Sequence, residues 1–169
     1  MLNFWKLVED GTIPARVTHN DTKISNILFN RHGEVLCVID LDTVMNSTVL
    51  NDFGDAIRSY SNTGKEDDTD LENVSMDIEL FASFAKGYLE EASSFLTENE
   101  IEYLAFSAKY ITFEQVLRFL MDYIDGDHYY KTRMPEHNLI RARAQYKLLM
   151  SMEDQYDQMK AIIKNCLTS

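Results

Sequence analysis

Residues 19–42 constrain the fold of this chain more than any other segment. A polar run, His19-Asn20-Asp21-Thr22-Lys23-Ile24-Ser25-Asn26, is followed by the apolar residues Ile27-Leu28-Phe29 and a turn at Asn30-Arg31-His32-Gly33. A second apolar run, Val35-Leu36-Cys37-Val38-Ile39, then ends on Asp40. Two short β-prone runs around an Asn-to-Gly turn read as a hairpin, and no other segment gives a strong strand signal. The rest reads as helix: a tail over Leu2 to Glu9 stopped by Asp10-Gly11 and Pro14, then Asp52 to Tyr60 and Ser75 to Ser93. Thr97-Glu98-Asn99-Glu100 offers a capping box for a helix to about Ile124. Asp125-Gly126-Asp127 breaks it, and one long final helix follows Pro135. The expected fold is mainly α with a small β-hairpin, in a single domain over residues 1–169.

The polar run carries the chemistry. Phosphoryl transfer from ATP requires a carboxylate at the attacking hydroxyl and oxygen ligands for magnesium, and kinases supply both from H-R-D-x-x-x-x-N and a following acid. His19, Asp21 and Asn26 keep that spacing, with Asn20 in place of the Arg. Asp21 is the candidate base; Asn26 and Asp40, at the end of the returning strand, are the candidate Mg²⁺ ligands. A literal Asp52-Phe53-Gly54 lies beyond the polar turn Asn46-Ser47-Thr48 and reads instead as a helix start, where acids offset exposed N–H groups. The segments are thus a catalytic loop at 19–26, a metal-binding hairpin at 27–42 and a helical remainder at 52–167.

Composition narrows the partners. A net charge of −12 and a pI near 4.6 argue against nucleic acid and anionic membranes, whose binding relies on clustered Lys and Arg, and are compatible with a small sugar. Cys37 and Cys166 belong to no CxxC or Cys/His cluster, which favours reduced thiols and a cytoplasmic location. No apolar run is long enough to cross a bilayer.

The blocks His19-x-Asp21 to Asn26, Ile39-Asp40-Leu41-Asp42-Thr43-Val44 and Asp52-Phe53-Gly54-Asp55-Ala56-Ile57-Arg58 resemble the aminoglycoside phosphotransferase-like kinases. With Arg118 to Tyr123, Gly126-Asp127 and Asn138 to Arg143, they look most like the N-acetylhexosamine 1-kinases. The resemblance implies the C-terminal lobe of a protein-kinase-like fold and transfer of the ATP γ-phosphate to the anomeric hydroxyl of GlcNAc or GalNAc. It gives His19 a packing role beneath the loop and Asp55 the task of tethering the loop through backbone N–H groups, with helix capping as the rival for Asp55. It gives Asp42, Arg118 and Tyr129 contacts to the sugar; the plainer readings are a solvated acid, a salt bridge and core packing. Residues before Asp21 hold no Gly-rich phosphate loop and no strand Lys, so half of the nucleotide site is expected to be missing, the chain inactive alone, and the interlobe face open to self-association. Kinases of choline, homoserine or aminoglycosides are the near alternatives, and a non-catalytic binding module the distant one.

Overall fold

The computed structural model of the protein describes residues 2–168. Its helices are α1 (Leu2–Glu9), α2 (Val49–Tyr60), α3 (Ile78–Ala92), α4 (Glu98–Asp125), α5 (His137–Asp154) and α6 (Tyr156–Cys166); its strands are β1 (Arg16–Thr18), β2 (Ile27–Phe29), β3 (Val35–Val38) and β4 (Met45–Ser47). The expectation of a mainly α fold with a small hairpin holds. β2 and β3 pair antiparallel, with Ile27 opposite Val38 and an irregularity between Leu28 and Phe29. Their turn is built by Asn30, whose Oδ1 accepts from the N–H groups of His32 (2.8 Å) and Glu34 (3.0 Å), while Gly33 takes φ +81°, where a side chain would be strained.

Helix α4 is the spine, packed between α2 and α5, and α3 lies against α6. Phe53, Phe81, Leu104, Leu148, Met152 and Met159 are all fully buried in one core. Burying each such side chain contributes about 1.5–3 kcal/mol. Gly54 lets α2 approach α4: a Cβ there would lie 2.5 Å from the Ser107 carbonyl oxygen. The capping box forms as the sequence predicts, with Thr97 Oγ1 accepting from Glu100 N–H and Glu100 Oε2 accepting from Thr97 N–H. The same buried Glu100 also holds Arg16 in a two-pronged ion pair at 2.7 and 2.9 Å, fastening β1 to the start of α4.

Three expectations are corrected. A second antiparallel pair forms, β1 with β4, where the sequence reads as a lead-in and a polar turn; Arg16, Val17 and Thr18 oppose Ser47, Asn46 and Met45. Helix α2 begins at Val49, a turn earlier than Asp52. The long final helix is two helices parted at Gln155, whose Nε2 donates to the Met76 carbonyl (2.9 Å) and to Ser151 Oγ (3.1 Å), a tertiary tie that replaces helix continuity. Among the described residues, no helix is long and apolar enough to cross a membrane.

The β2–β3 hairpin contrasts with this core. All four residues of β3 are exposed, as are Leu28, Phe29 and Leu41; Leu36 is 62 % exposed and Val17 83 %.

Candidate active site

The loop after β1 is held from below by α2. Asp52 accepts from the His19 N–H (2.9 Å) and the Asn20 N–H (2.7 Å), and its own carbonyl accepts from Thr22 Oγ1 (2.6 Å). Asn20 sits at φ 63°, a left-handed position that Asn tolerates, and its amide donates to the carbonyls of Thr18 and Thr43. Thr43 Oγ1 returns a bond to the His19 carbonyl at 2.6 Å. The residue standing where kinases place Arg is thus a staple between the loop and the exit of the hairpin.

These bonds present Asp21. Its carboxylate accepts from Asn26 Nδ2 (2.8 Å) and from Lys23 Nζ (2.6 Å), and Asn26 Nδ2 also reaches the Asp21 carbonyl (2.9 Å). His19 lies beneath: its Nδ1 accepts from the Asp21 N–H, which fixes the proton on Nε2, and Nε2 donates to the Ile39 carbonyl at 3.0 Å. Ile39 N–H in turn donates to the Asn26 carbonyl at 2.9 Å. Asp40 follows at φ 65° and ψ 55°, exposed and, among the described residues, without a side-chain hydrogen bond. Asp21 and Asn26 are therefore in direct contact, and Asp40 is brought to them through the backbone of its neighbour. One carboxylate and one amide oxygen form a hard donor set that fits magnesium, which takes few protein ligands.

Beyond Asp21 opens a cavity of about 570 Å³, walled by Asn20, Thr43, Arg118, Tyr129 and Tyr130 among others. The protein-family model of the phosphotransferase enzyme family matches residues 3–99, more than half of the chain, and spans the loop, the hairpin and α2. The chain belongs to the phosphotransferase enzyme family. Its mainly α architecture with a small antiparallel hairpin is that of part of a kinase-like fold.

The match ends before Arg118 and Tyr129, so their placement rests on the structure alone. Both line the Asp21 cavity, and the Arg118 guanidinium lies 5.9 Å from the Tyr129 ring centre and 5.7 Å from that of Tyr130, with no salt bridge to it among the described residues. Asp42 does not join them. The left-handed turn at Asp40 leads into a short 3₁₀ turn, Leu41–Thr43, in which Asp42 is exposed and Thr43 faces the cavity. Asp55 does not tether the loop either: its Oδ1 accepts from Arg58 Nε (2.9 Å) and Nη2 (2.8 Å) in a buried pair, and the tether is Asp52. A larger, more open groove of about 730 Å³ shares Arg118 and the two tyrosines with this cavity and continues past Met121 and Ile124, and no loop residue borders it.

Sequence reasoning missed further parts. Lys23, two residues past the candidate base and paired with it at 2.6 Å, carries a signal in hindsight: a cation beside a candidate catalytic carboxylate. Asp122 carries none. It is buried at the end of α4, accepts from the N–H groups of Tyr129 (2.8 Å) and Tyr130 (2.9 Å) and from Asn138 Nδ2 (2.8 Å), and so sets the aromatic wall. Burial pushes the Asp122 carboxyl up, but the N–H groups of Tyr130, Tyr129 and His128 outweigh it and hold the group below the ordinary carboxylate range. Asn138 continues the network to Asp127 (2.8 Å) and Arg141 (2.9 Å). Asp67 is likewise held low, chiefly by its hydrogen bond from His137 Nε2 at 3.0 Å.

Proposed function

We propose that this protein is the acceptor-binding part of a small-molecule phosphotransferase that passes the γ-phosphoryl of ATP to a sugar hydroxyl. The acceptor that the resemblance favours is the anomeric hydroxyl of an N-acetylhexosamine, GlcNAc or GalNAc. One observation supports this most: Asp21, bonded to Asn26, borders the same cavity as Arg118 and Tyr129. In this reading Asp21 accepts the proton of the acceptor hydroxyl and aims its oxygen at the phosphorus. Lys23, beside it, stabilises the charge that develops on the transferred group. Asn26 Oδ1 and the Asp40 carboxylate hold Mg²⁺, which when bound neutralises the phosphate oxygens. His19 and Asp52 fix the loop, and Tyr129 stacks on the sugar face with Arg118 at its edge.

Residues 1–20 hold no Gly-rich loop and no strand Lys to cradle a triphosphate, and positioning of that group is most of the catalysis. The chain alone is therefore expected to bind acceptor without measurable turnover. The exposed apolar side chains of the hairpin and its exit, Val35, Leu36 and Leu41, support self-association, read by sizing.

The test pairs calorimetry with an assay. GlcNAc or GalNAc should bind weakly and cease to bind Arg118→Ala, with no sugar 1-phosphate formed from ATP and magnesium. Absence of any hexosamine binding overturns the acceptor reading. Turnover abolished by Asp21→Asn would keep the base and overturn the need for a phosphate-cradling lobe.

A further inference from the structure

The chain carries a net charge of −12, yet the cavity beside Asp21 is cationic. Its wall presents five basic side chains, from Lys23, Arg58, Arg118, Lys131 and Arg141, against the two carboxylates of Asp21 and Glu66. Two of the five are spent. Lys23 is bonded to Asp21, and buried Arg58 is shared between Asp55 (2.8 Å) and Glu66 (3.1 Å).

The other three have no such partner. Among the described residues, no carboxylate lies within ion-pair distance of Arg118, Lys131 or Arg141. Arg118 is exposed over the two tyrosine rings. Arg141 lies over the Phe119 ring, donates from Nη1 to the Lys131 carbonyl and to Asn138 Oδ1, and keeps a buried Nε with no hydrogen-bond partner. The acids nearby are engaged elsewhere: Asp122 on the Tyr129 and Tyr130 N–H groups, Asp127 on Asn138, Asp67 on His137. Three like charges gathered at one wall repel one another, and an anion entering the cavity relieves that repulsion.

We propose that the acceptor of this phosphotransferase bears an anionic group, a phosphate or a carboxylate, which Arg118, Lys131 and Arg141 bind while its hydroxyl meets Asp21. This rests on the reading of the cavity as the acceptor site. The triphosphate is not the anion in question, because neither Asn26 nor Asp40 lines this cavity. A guanidinium offers the planar fork that grips carboxylates and phosphates, and two of the three cations are Arg. The same charges repel a cationic acceptor such as choline or an aminoglycoside. The volume of about 570 Å³ admits a sugar with one such substituent.

Binding to the intact chain without ATP tests this independently of catalysis. Titration calorimetry is run with GlcNAc, GlcNAc 6-phosphate, glucuronate, inorganic phosphate and choline. GlcNAc 6-phosphate or glucuronate should bind at least about tenfold tighter than GlcNAc, with the tighter of the two naming the anion. The affinity for the anionic sugar should fall in Arg118→Ala, and the margin should shrink as salt is raised and in Lys131→Ala. Lys131 is exposed and outside the core, so its variant keeps the test valid if another misfolds. Equal affinity for GlcNAc, binding of choline, no binding of either anionic sugar, or inorganic phosphate binding as tightly as the sugar phosphate would each overturn the inference. If the margin vanishes while GlcNAc still binds in an Arg118-dependent way, only this inference falls. If an anionic sugar binds while uncharged GlcNAc and GalNAc do not, the anion site survives and the neutral-hexosamine reading falls.

Discussion

Helix α2 and the β2–β3 hairpin both hold the candidate catalytic loop, by different physics. From α2 comes a charged grip: Asp52 takes two loop N–H groups, and the next two residues, Phe53 and Gly54, lie buried against the rest of the core. From the hairpin comes a backbone grip through Ile39, on a ribbon whose β3 residues are all exposed. The rigidity of Asp21 is inherited from the core on one side and from a few hydrogen bonds on the other. The site is firm where it meets α2 and dependent on local geometry where it meets the ribbon.

Substitutions can break or sharpen that contrast. The largest effect is expected from Gly54→Val, since a Cβ there meets the Ser107 carbonyl oxygen at 2.5 Å and backbone cannot step aside. Overpacking at such a point should remove about 3 kcal/mol or more from the urea-unfolding free energy. Asp52→Ala comes next, leaving the His19 and Asn20 N–H groups without their acceptor, at a cost of about 2–3 kcal/mol. Amide exchange at those two residues should speed up more than in α4, and uniform acceleration would show that Asp52 matters to the core rather than to the loop.

A pH series gives a smaller, signed effect. The carboxyls of Asp67 and Asp122 lie below their ordinary values in the folded protein, so the stability they contribute is complete above the usual carboxylate range and is lost as pH falls through the lowered values. Asp67→Asn, which loses the charged bond from His137, should flatten the acid limb of a stability-against-pH curve and leave the neutral region comparatively unaffected. The smallest effect is expected on the ribbon: Leu36→Ser should change stability by no more than about 0.5 kcal/mol, because the side chain is already in water. A loss approaching that of Gly54→Val would show that this face is covered in solution and would end the contrast.

What could be read in the sequence follows the same division. The Thr97 capping box, the Asn30 turn and the Asp21–Asn26 spacing are local patterns, and the structure forms the first two and joins the last pair by a hydrogen bond. What escaped depends on partners distant in the chain. Asp52 at the start of a helix looks the same whether its carboxylate caps that helix or a loop 32 or 33 residues away in sequence. Gln155 interrupts a helical pattern without Gly or Pro, because its partner is the Met76 carbonyl. Three-residue strands such as Met45–Ser47 are too short to show an alternation. Asp42 and Thr43 are adjacent, and only the left-handed turn at Asp40 decides which of them meets the cavity.

The two bonds on Ile39 carry one more consequence. A two-stranded ribbon with water on its outer side has weak defences against sliding, since a shift of one residue moves no hydrophobic set out of a core. Here the alignment is pinned at its end: the Asn26 carbonyl takes the Ile39 N–H, and the His19 ring takes the Ile39 carbonyl. A slip of one position would put Asp40 or Val38 in that clamp and carry the candidate magnesium carboxylate away from Asn26. The imidazole of His19 therefore acts as an alignment pin, and the bond it makes at 3.0 Å specifies which residue after the strand arrives beside Asn26.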